Sequence, residues 1–215
     1  MSIRISVTSK LDGIRSWSLQ AGETCPGSFK RDGGLVDACR GCYAMSGNYR
    51  YPNVKAPRIE NRDDWQRPEW VADMVKALDS DRYFRWFDSG DMYALGLAEK
   101  ILAVMRATPW VRHWLPTRMH KFPKFRDVLA AMQALDNVSV RFSSDSVTGE
   151  YSPEHGSVIV PDANSVPAGA TACGAYQRDG KCGGCRACWD KSVAVIAYPA
   201  HGRSMAKVIR QKVAA

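Results

Sequence analysis

The chain has 215 residues, enough for one domain of ordinary size or for one domain with a small appendage. Its 45% hydrophobic and 24% charged residues exclude a collagenous, mucin-like or largely disordered chain, and no window of 18 uninterrupted apolar residues suggests a membrane span. Thirty Lys and Arg against 22 Asp and Glu give a net charge of +8, which favours phosphate-bearing partners where one face concentrates it.

The opening, MSIRISVTSKLDGIRSW, has no apolar core behind a basic flank, so no signal peptide is expected and the cytosol is the expected compartment. A first strand is expected over 14–19, running into a loop at 22–25. Residues 68–78, PEWVADMVKAL, read as an amphipathic helix with Trp70, Val71, Met74, Val75 and Leu78 at helical spacing, begun by Pro68 and ended at 79–81. The bulky run 83–87 favours a strand and leads into the polar turn Asp88, Ser89, Gly90 and Asp91. A helix over 94–107 follows, then a strand over 111–116 ahead of Thr117 and Arg118, a helix over 124–135, and a strand over 138–142 ahead of Ser143 and Ser144. SVIVP at 157–161 is a short strand. After a loop rich in Pro, Gly and Ala, SVAVIAYP at 192–199 is a buried strand, and a terminal helix starts at Arg203.

Six strands alternating with helices imply a parallel sheet with right-handed crossovers, and six such units make an incomplete barrel. The expected architecture is therefore α/β: a partial (β/α)6-type barrel over 1–150 with an N-terminal cysteine loop, a cysteine-rich cluster-binding segment over 151–190, and the last strand and terminal helix over 191–215. Loops that follow the strands of such a sheet gather on one face. That would bring Cys25, the 88–91 turn, Thr117 with Arg118, Ser143 with Ser144, and His201 to one cavity.

The seven cysteines are odd in number and sit in an expected reducing compartment, so disulfides account for them poorly. They fall into two bunches: Cys25, Cys39 and Cys42, then Cys173, Cys182, Cys185 and Cys188. In KCGGCRACW the last three sulfurs repeat every three residues, and Gly183 and Gly184 free the backbone to turn them toward one centre. Adjacent CxxC steps with a fourth cysteine at a distance occur in iron–sulfur ligation, whereas four-cysteine zinc sites more often use two separated knuckles. Both metals remain open, with iron–sulfur favoured. A cubane that only transfers electrons takes four protein ligands, and one with three leaves an iron free. Three and four thiols thus divide into one open and one closed cluster, but the same count also fits a single four-cysteine cluster drawn from both bunches with three spare thiols.

Other polar groups have competing roles. Ser89 or Asp91 can cap the helix that follows the turn. Arg118 and Arg141 can pair with Asp88 and Asp145. His113 lies within a strand and is expected to pack, His120 and His155 lie in polar loops, and His201 faces the cavity as a hydrogen-bonded structural histidine. The basic stretch Arg203, Lys207, Arg210 and Lys212 reads more simply as a solvated helix end than as a nucleic-acid face. No HExxH, dependable Ser-His-Asp order or Walker loop supports hydrolysis by those routes.

Cys25, the 13-residue insert, CRGCYA, FDSGDM and the late CxxCxxCW together resemble the phage gene product 88 family over nearly the whole chain. More distantly, the N-terminal loop and the β/α pattern resemble radical S-adenosylmethionine (SAM) enzymes. Those carry three cysteines, usually spaced CxxxCxxC with an aromatic before the last, on a six-unit partial barrel; here the first gap is 13 residues and Tyr43 follows the last cysteine. Expanded loops occur in some small members such as the 7-carboxy-7-deazaguanine synthases.

The resemblance implies a [4Fe-4S] cluster on Cys25, Cys39 and Cys42 whose open iron binds SAM, fed by a closed cluster on Cys173, Cys182, Cys185 and Cys188. It implies that Ser89, Gly90 and Asp91 hold the methionyl ammonium and that Arg118 and Arg141 meet the SAM carboxylate, with Ser143 in the same cofactor-binding set. The implied activity is reductive SAM cleavage on an unidentified substrate in the phage-infected host cytosol. The competing expectation is a non-catalytic iron–sulfur or zinc protein whose cysteines staple the fold and whose basic surface engages nucleic acid or a host protein.

Overall fold

The computed structural model describes residues 3–214. Strands β1 (Ser6–Val7) and β2 (Arg15–Trp17) come first, followed by a long irregular segment that holds α1 (Asp37–Arg40) and α2 (Pro52–Asp64). Then come α3 (Trp70–Ala77), β3 (Tyr83–Trp86), α4 (Leu95–Ala107), β4 (Arg112–Thr117), α5 (Arg126–Gln133) and β5 (Val138–Ser143). The chain ends with β6 (His155–Val160), β7 (Ala170–Ala172), β8 (Val195–Pro199) and α6 (Arg203–Val213).

All eight strands form one open sheet in the order β1-β2-β3-β4-β5-β6-β8-β7. Every neighbouring pair is parallel except β1 with β2. The six expected strands are all present with shifted ends. The two additional strands are edge strands of two and three residues, too short to carry an alternating pattern. Helix α2 was also not expected: its sequence PNVKAPRIENRDD is polar and buries only Arg58 and Asn61, so it has no apolar stripe to read. Residues 151–190 contribute β6 and β7 to the same sheet as the preceding 150 residues.

From β2 to β6 and on to β8 the spatial order follows the chain, so right-handed crossovers place α3, α4 and α5 on one face. Trp17, Phe84, Trp86 and Leu115 project to that face and pack against Trp70, Met74 and Leu78, Leu97, Ile101 and Met105, and Val128, Leu129 and Met132. Trp17 meets Trp70 edge-on at 5.3 Å and Trp86 at 6.2 Å. His113 packs as expected: its Nδ1 accepts from Trp86 Nε1 at 3.2 Å, and its Nε2 lies 2.9 Å from Thr108 Oγ1. Burial pushes its pKa down to about 3.

The two-residue period of the strands sends the alternate side chains the other way, so Ser16, Tyr83, Arg85, Trp114, Ser139, Arg141 and Tyr198 share the second face. Cysteine-bearing loops cover it in place of helices. Trp189 seats against Trp114 at 5.1 Å and Tyr83 at 5.8 Å, and its Nε1 donates to the Phe84 carbonyl at 2.9 Å.

Candidate functional site

Cys25 lies in the loop after β2, Cys39 lies on α1, and Cys42 lies two residues beyond that helix. The Ala38 N–H donates to the Asp145 carbonyl at 3.0 Å, which ties α1 to the loop after β5. A Cβ on Gly41 would come within 2.7 Å of the Met205 Cα, so only glycine lets α1 and α6 approach this closely. All seven cysteines are free thiols. Burial first, with Asp91, Cys39 and Cys42 adding to it, pushes the Cys25 thiol up to about 12. Burial also raises Cys39, opposed chiefly by the Arg118 charge. The three N-terminal thiols therefore share one neighbourhood, flanked by a carboxylate and cations.

The turn after β3 builds that neighbourhood. Phe87 takes the left-handed conformation at φ 56°, which ends β3 and costs on the order of 1–3 kcal/mol. Its N–H donates to the Trp17 carbonyl at 2.8 Å. Gly90 sits at φ 75°, and a Cβ there would lie 2.6 Å from the Leu19 Cβ and 2.7 Å from Thr24 Oγ1. Ser89 Oγ donates to the Leu19 carbonyl and accepts from Arg58 Nε, both at 2.8 Å. The Asp91 N–H donates to the Thr24 carbonyl at 3.0 Å. The turn thus clamps the loop that carries Cys25.

Asp91 is buried, and both of its carboxylate oxygens have partners within the chain. Oδ1 accepts from Thr117 Oγ1 and the Met92 N–H at 2.8 Å, and Oδ2 accepts from the Arg118 N–H at 2.9 Å. Burial raises its pKa while those three hydrogen bonds lower it. The capping alternative is corrected here. Ala94 precedes α4 and no side chain caps it, because residues 92–94 separate the turn from the helix.

Arg118 pairs with Asp145, as one reading expected: Nε to Oδ1 is 3.2 Å, and Lys121 Nζ reaches the same oxygen at 2.6 Å. Arg118 Nη2 also donates to the Ser144 carbonyl at 2.8 Å. Ser143 Oγ accepts from Ser157 Oγ at 3.3 Å. Cys25, the turn, Thr117 and Arg118 are therefore brought together with Asp145, as strand order implied. A nearby open cavity of about 440 Å³ is lined by Lys30, Asp37, Asp145, Glu150 and Lys212 among others, with no cysteine in its lining. His201 departs from its expected hydrogen-bonded role; it is exposed, stacked on Tyr43 and tilted at 46° against Tyr176.

The C-terminal thiols cover the second face of the sheet. The Cys173 N–H donates to the Ala197 carbonyl and the Cys182 N–H to the Lys10 carbonyl, both at 2.8 Å. Gly183, at φ 54°, donates its N–H to Asp12 Oδ2 at 2.7 Å. Cys182 and Cys188 pack with Trp114 and Trp189, and Cys188 Sγ lies 3.3 Å from Tyr198 Oη. Burial raises Cys182 and Cys188, and Cys173 raises both further.

Two arginines lie under this loop. Arg141 does not pair with a carboxylate. Its guanidinium donates to six carbonyls, those of Gly156, Ala187, Cys188, Asp190, Val193 and Ala194. Arg85 lies over the Trp114 ring at 4.4 Å, and its Nε is shielded from solvent without a hydrogen-bond partner. Among the described residues no carboxylate lies within ion-pair distance of it, and no three His, Cys, Asp or Glu side chains converge on a position for one metal ion.

A family model described as gene product 88 matches residues 5–191. The chain belongs to the phage gene product 88 family. The gene product 88 match contains all seven cysteines, the 88–91 turn, Arg58, Arg85 and Arg141, and it stops short of β8. No curated protein and no solved structure matches the chain. No helix of this gene product 88 protein is long and apolar enough to cross a membrane among the described residues.

Sequence reasoning about this gene product 88 chain missed the buried Arg58–Asp88 pair, at 2.8 Å with side chains 5% and 1% exposed. Tyr49 Oη donates to the same Asp88 oxygen at 3.0 Å. Helix α2 delivers Arg58, so without that helix the pairing had no sequence signal.

Proposed function

We propose that this protein holds iron–sulfur clusters: a closed [4Fe-4S] cluster on Cys173, Cys182, Cys185 and Cys188, and an open one on Cys25, Cys39 and Cys42 that binds SAM for reductive cleavage. The observation that carries the reading is Arg85. Its Nε is shielded from water without a hydrogen-bond partner, and the groups around the side chain include Cys182, Cys188, Trp114 and Tyr198 on one side and Tyr43 with Asp88 on the other. Cluster thiolates would bring negative charge to the side of Arg85 that holds Cys182 and Cys188. The donor set fits as well, since a multi-iron core spreads its thiolates wider than the ~2.3 Å Zn–S bonds of a single zinc ion allow.

When bound, such clusters supply one-electron transfer and, at an open iron, a place for SAM. The chain's own residues set the surroundings. Tyr198 Oη is placed to donate to Cys188 Sγ, Arg141 fixes the backbone at Cys188, and Arg118 with Lys121 brings positive charge near Cys39. The finer reading as a radical-SAM-like partial barrel draws support from strand order that follows the chain, helices on one face, and Cys182 and Cys188 against the other.

Asp91 favours a second reading. A carboxylate has about four acceptor sites, and three donors of the chain already use Asp91. A turn devoted to bracing the Cys25 loop suits a non-catalytic cluster protein. Metal and sulfide analysis with electron paramagnetic resonance on anaerobically prepared protein, with and without SAM, tests both. Iron and labile sulfide near four or eight per chain, with a spectrum that changes on adding SAM and slow release of 5′-deoxyadenosine, supports the enzyme. Clusters indifferent to SAM support the second reading. About one zinc per chain without sulfide would sink both cluster readings.

A further inference from the structure

Four rings form a continuous row between the two cysteine sets. Tyr49 meets Tyr43 at 5.4 Å, Tyr43 stacks with His201 at 6.3 Å and an interplanar angle of 29°, and His201 meets Tyr176 at 4.7 Å. Tyr43 is 46% exposed, Tyr176 is 49% exposed, and His201 is exposed between them. The row is held in place from below: Tyr43 Oη donates to the Asp88 carbonyl at 2.7 Å, and Tyr49 Oη to the Asp88 carboxylate. Rings in contact along a surface, two of them held by their hydroxyls, are not explained by core packing.

Cations without ion-pair partners lie beside the row or on the segments that carry it. Lys10 Nζ lies 5.8 Å from the Tyr176 ring, Arg178 shares a helical turn with Tyr176, and Arg203 begins α6 two residues after His201. Among the described residues none of the three forms a salt bridge with a carboxylate. Of the acidic groups on these segments, Asp12 is engaged by the Gly183 N–H, which leaves Asp179.

We infer that the Tyr43–His201–Tyr176 row is a stacking platform for single-stranded nucleic acid. Every unpaired base offers a π-face to such rings, and free cations beside them neutralise successive phosphates. A duplex keeps its base faces inside and cannot use the row. The rings and cations of the row include no cysteine, so the inference does not rest on cluster binding.

The test is fluorescence anisotropy of the purified protein with a labelled oligothymidylate of about 12 nucleotides, within the range one such surface spans. Binding should weaken steeply with salt. Tyr176→Ala and His201→Ala should each weaken it roughly five- to a hundredfold, the loss of one base stack. Tyr176→Phe should retain binding, Tyr51→Ala should leave it unchanged as an exposed ring outside the row, and Arg178→Ala with Arg203→Ala should flatten the salt dependence. Absence of binding at low salt, parental affinity in both ring variants, or equal affinity for the duplex or for a mononucleotide would each overturn the proposal. Because Tyr176 and His201 are surface side chains, thermal melting should match the parent; if one ring variant melts early, the other ring and the charge variants decide.

Discussion

Arg141 holds Cys188 by its backbone: Nε donates to the Cys188 carbonyl at 2.9 Å, and Nη2 to the neighbouring Ala187 carbonyl at 2.8 Å. With four further carbonyls on the same guanidinium, this side chain is the frame on which the 187–194 loop is folded. Lysine cannot reproduce a planar fork of five donors, so Arg141→Lys leaves several buried carbonyls unpaired. The expected loss is about 3–5 kcal/mol, read as a melting temperature lower by roughly 10 °C. A melting curve within two or three degrees of the parent would show that the loop holds itself.

The Arg58–Asp88 pair gives a prediction about coupling. Removing one partner leaves the other charged and buried, so Arg58→Met or Asp88→Asn alone should cost about 3–5 kcal/mol in denaturant titration. The double variant should cost clearly less than the two single losses added together. Simple additivity would mean that the two residues act independently despite their 2.8 Å separation.

Gly90→Ala strains the backbone at φ 75° and drives its new methyl into Leu19 and Thr24. A loss of more than about 2 kcal/mol is expected. Since the same turn clamps the Cys25 loop, alkylation of Cys25 should accelerate in the folded variant. Unchanged stability would contradict the tight approach of the two loops.

His113 makes stability depend on pH with a definite sign. Its folded pKa of about 3 lies below the ordinary 6.5, so between those values the unfolded chain binds a proton that the folded chain refuses. Its contribution is present above about 6.5 and is lost as pH falls, at about 1.4 kcal/mol per pH unit. His113→Gln should remove one proton's worth of slope between pH 4 and 6. Equal slopes in both proteins would mean that His113 titrates normally.

Thiol reactivity should follow burial in the metal-free protein. Cys185 is exposed, whereas Cys25 is held neutral by a pKa near 12. Iodoacetamide at pH 8, followed by mass spectrometry, should label Cys185 first and Cys25 among the last. Early labelling of Cys25 would place its sulfur at the surface.

The strand and helix alternation was legible because β3, α3, α4, β4 and β5 carry apolar residues at periods of two or 3.6, which burial on one face requires. That Arg118 would pair with a carboxylate could also be read, since neighbouring strand ends bring Arg118 and Asp145 together. Other features depended on tertiary placement. Arg141 looked like a partner for a carboxylate, yet the loop folded over it offers only carbonyls. His201 lies 158 residues after Tyr43 in the chain, and no local pattern announces that their rings stack.

The insertion of β8 between β6 and β7 also has a consequence for the order of assembly. β7 is synthesised first but has no sheet neighbour other than β8, and the Cys173 N–H just beyond it bonds to Ala197 within β8. During synthesis, residues 170–173 therefore leave the ribosome without their hydrogen-bonding partner and wait for residues 195–199 to follow. The four C-terminal cysteines acquire their final spacing only when that late strand joins the sheet, at the end of folding.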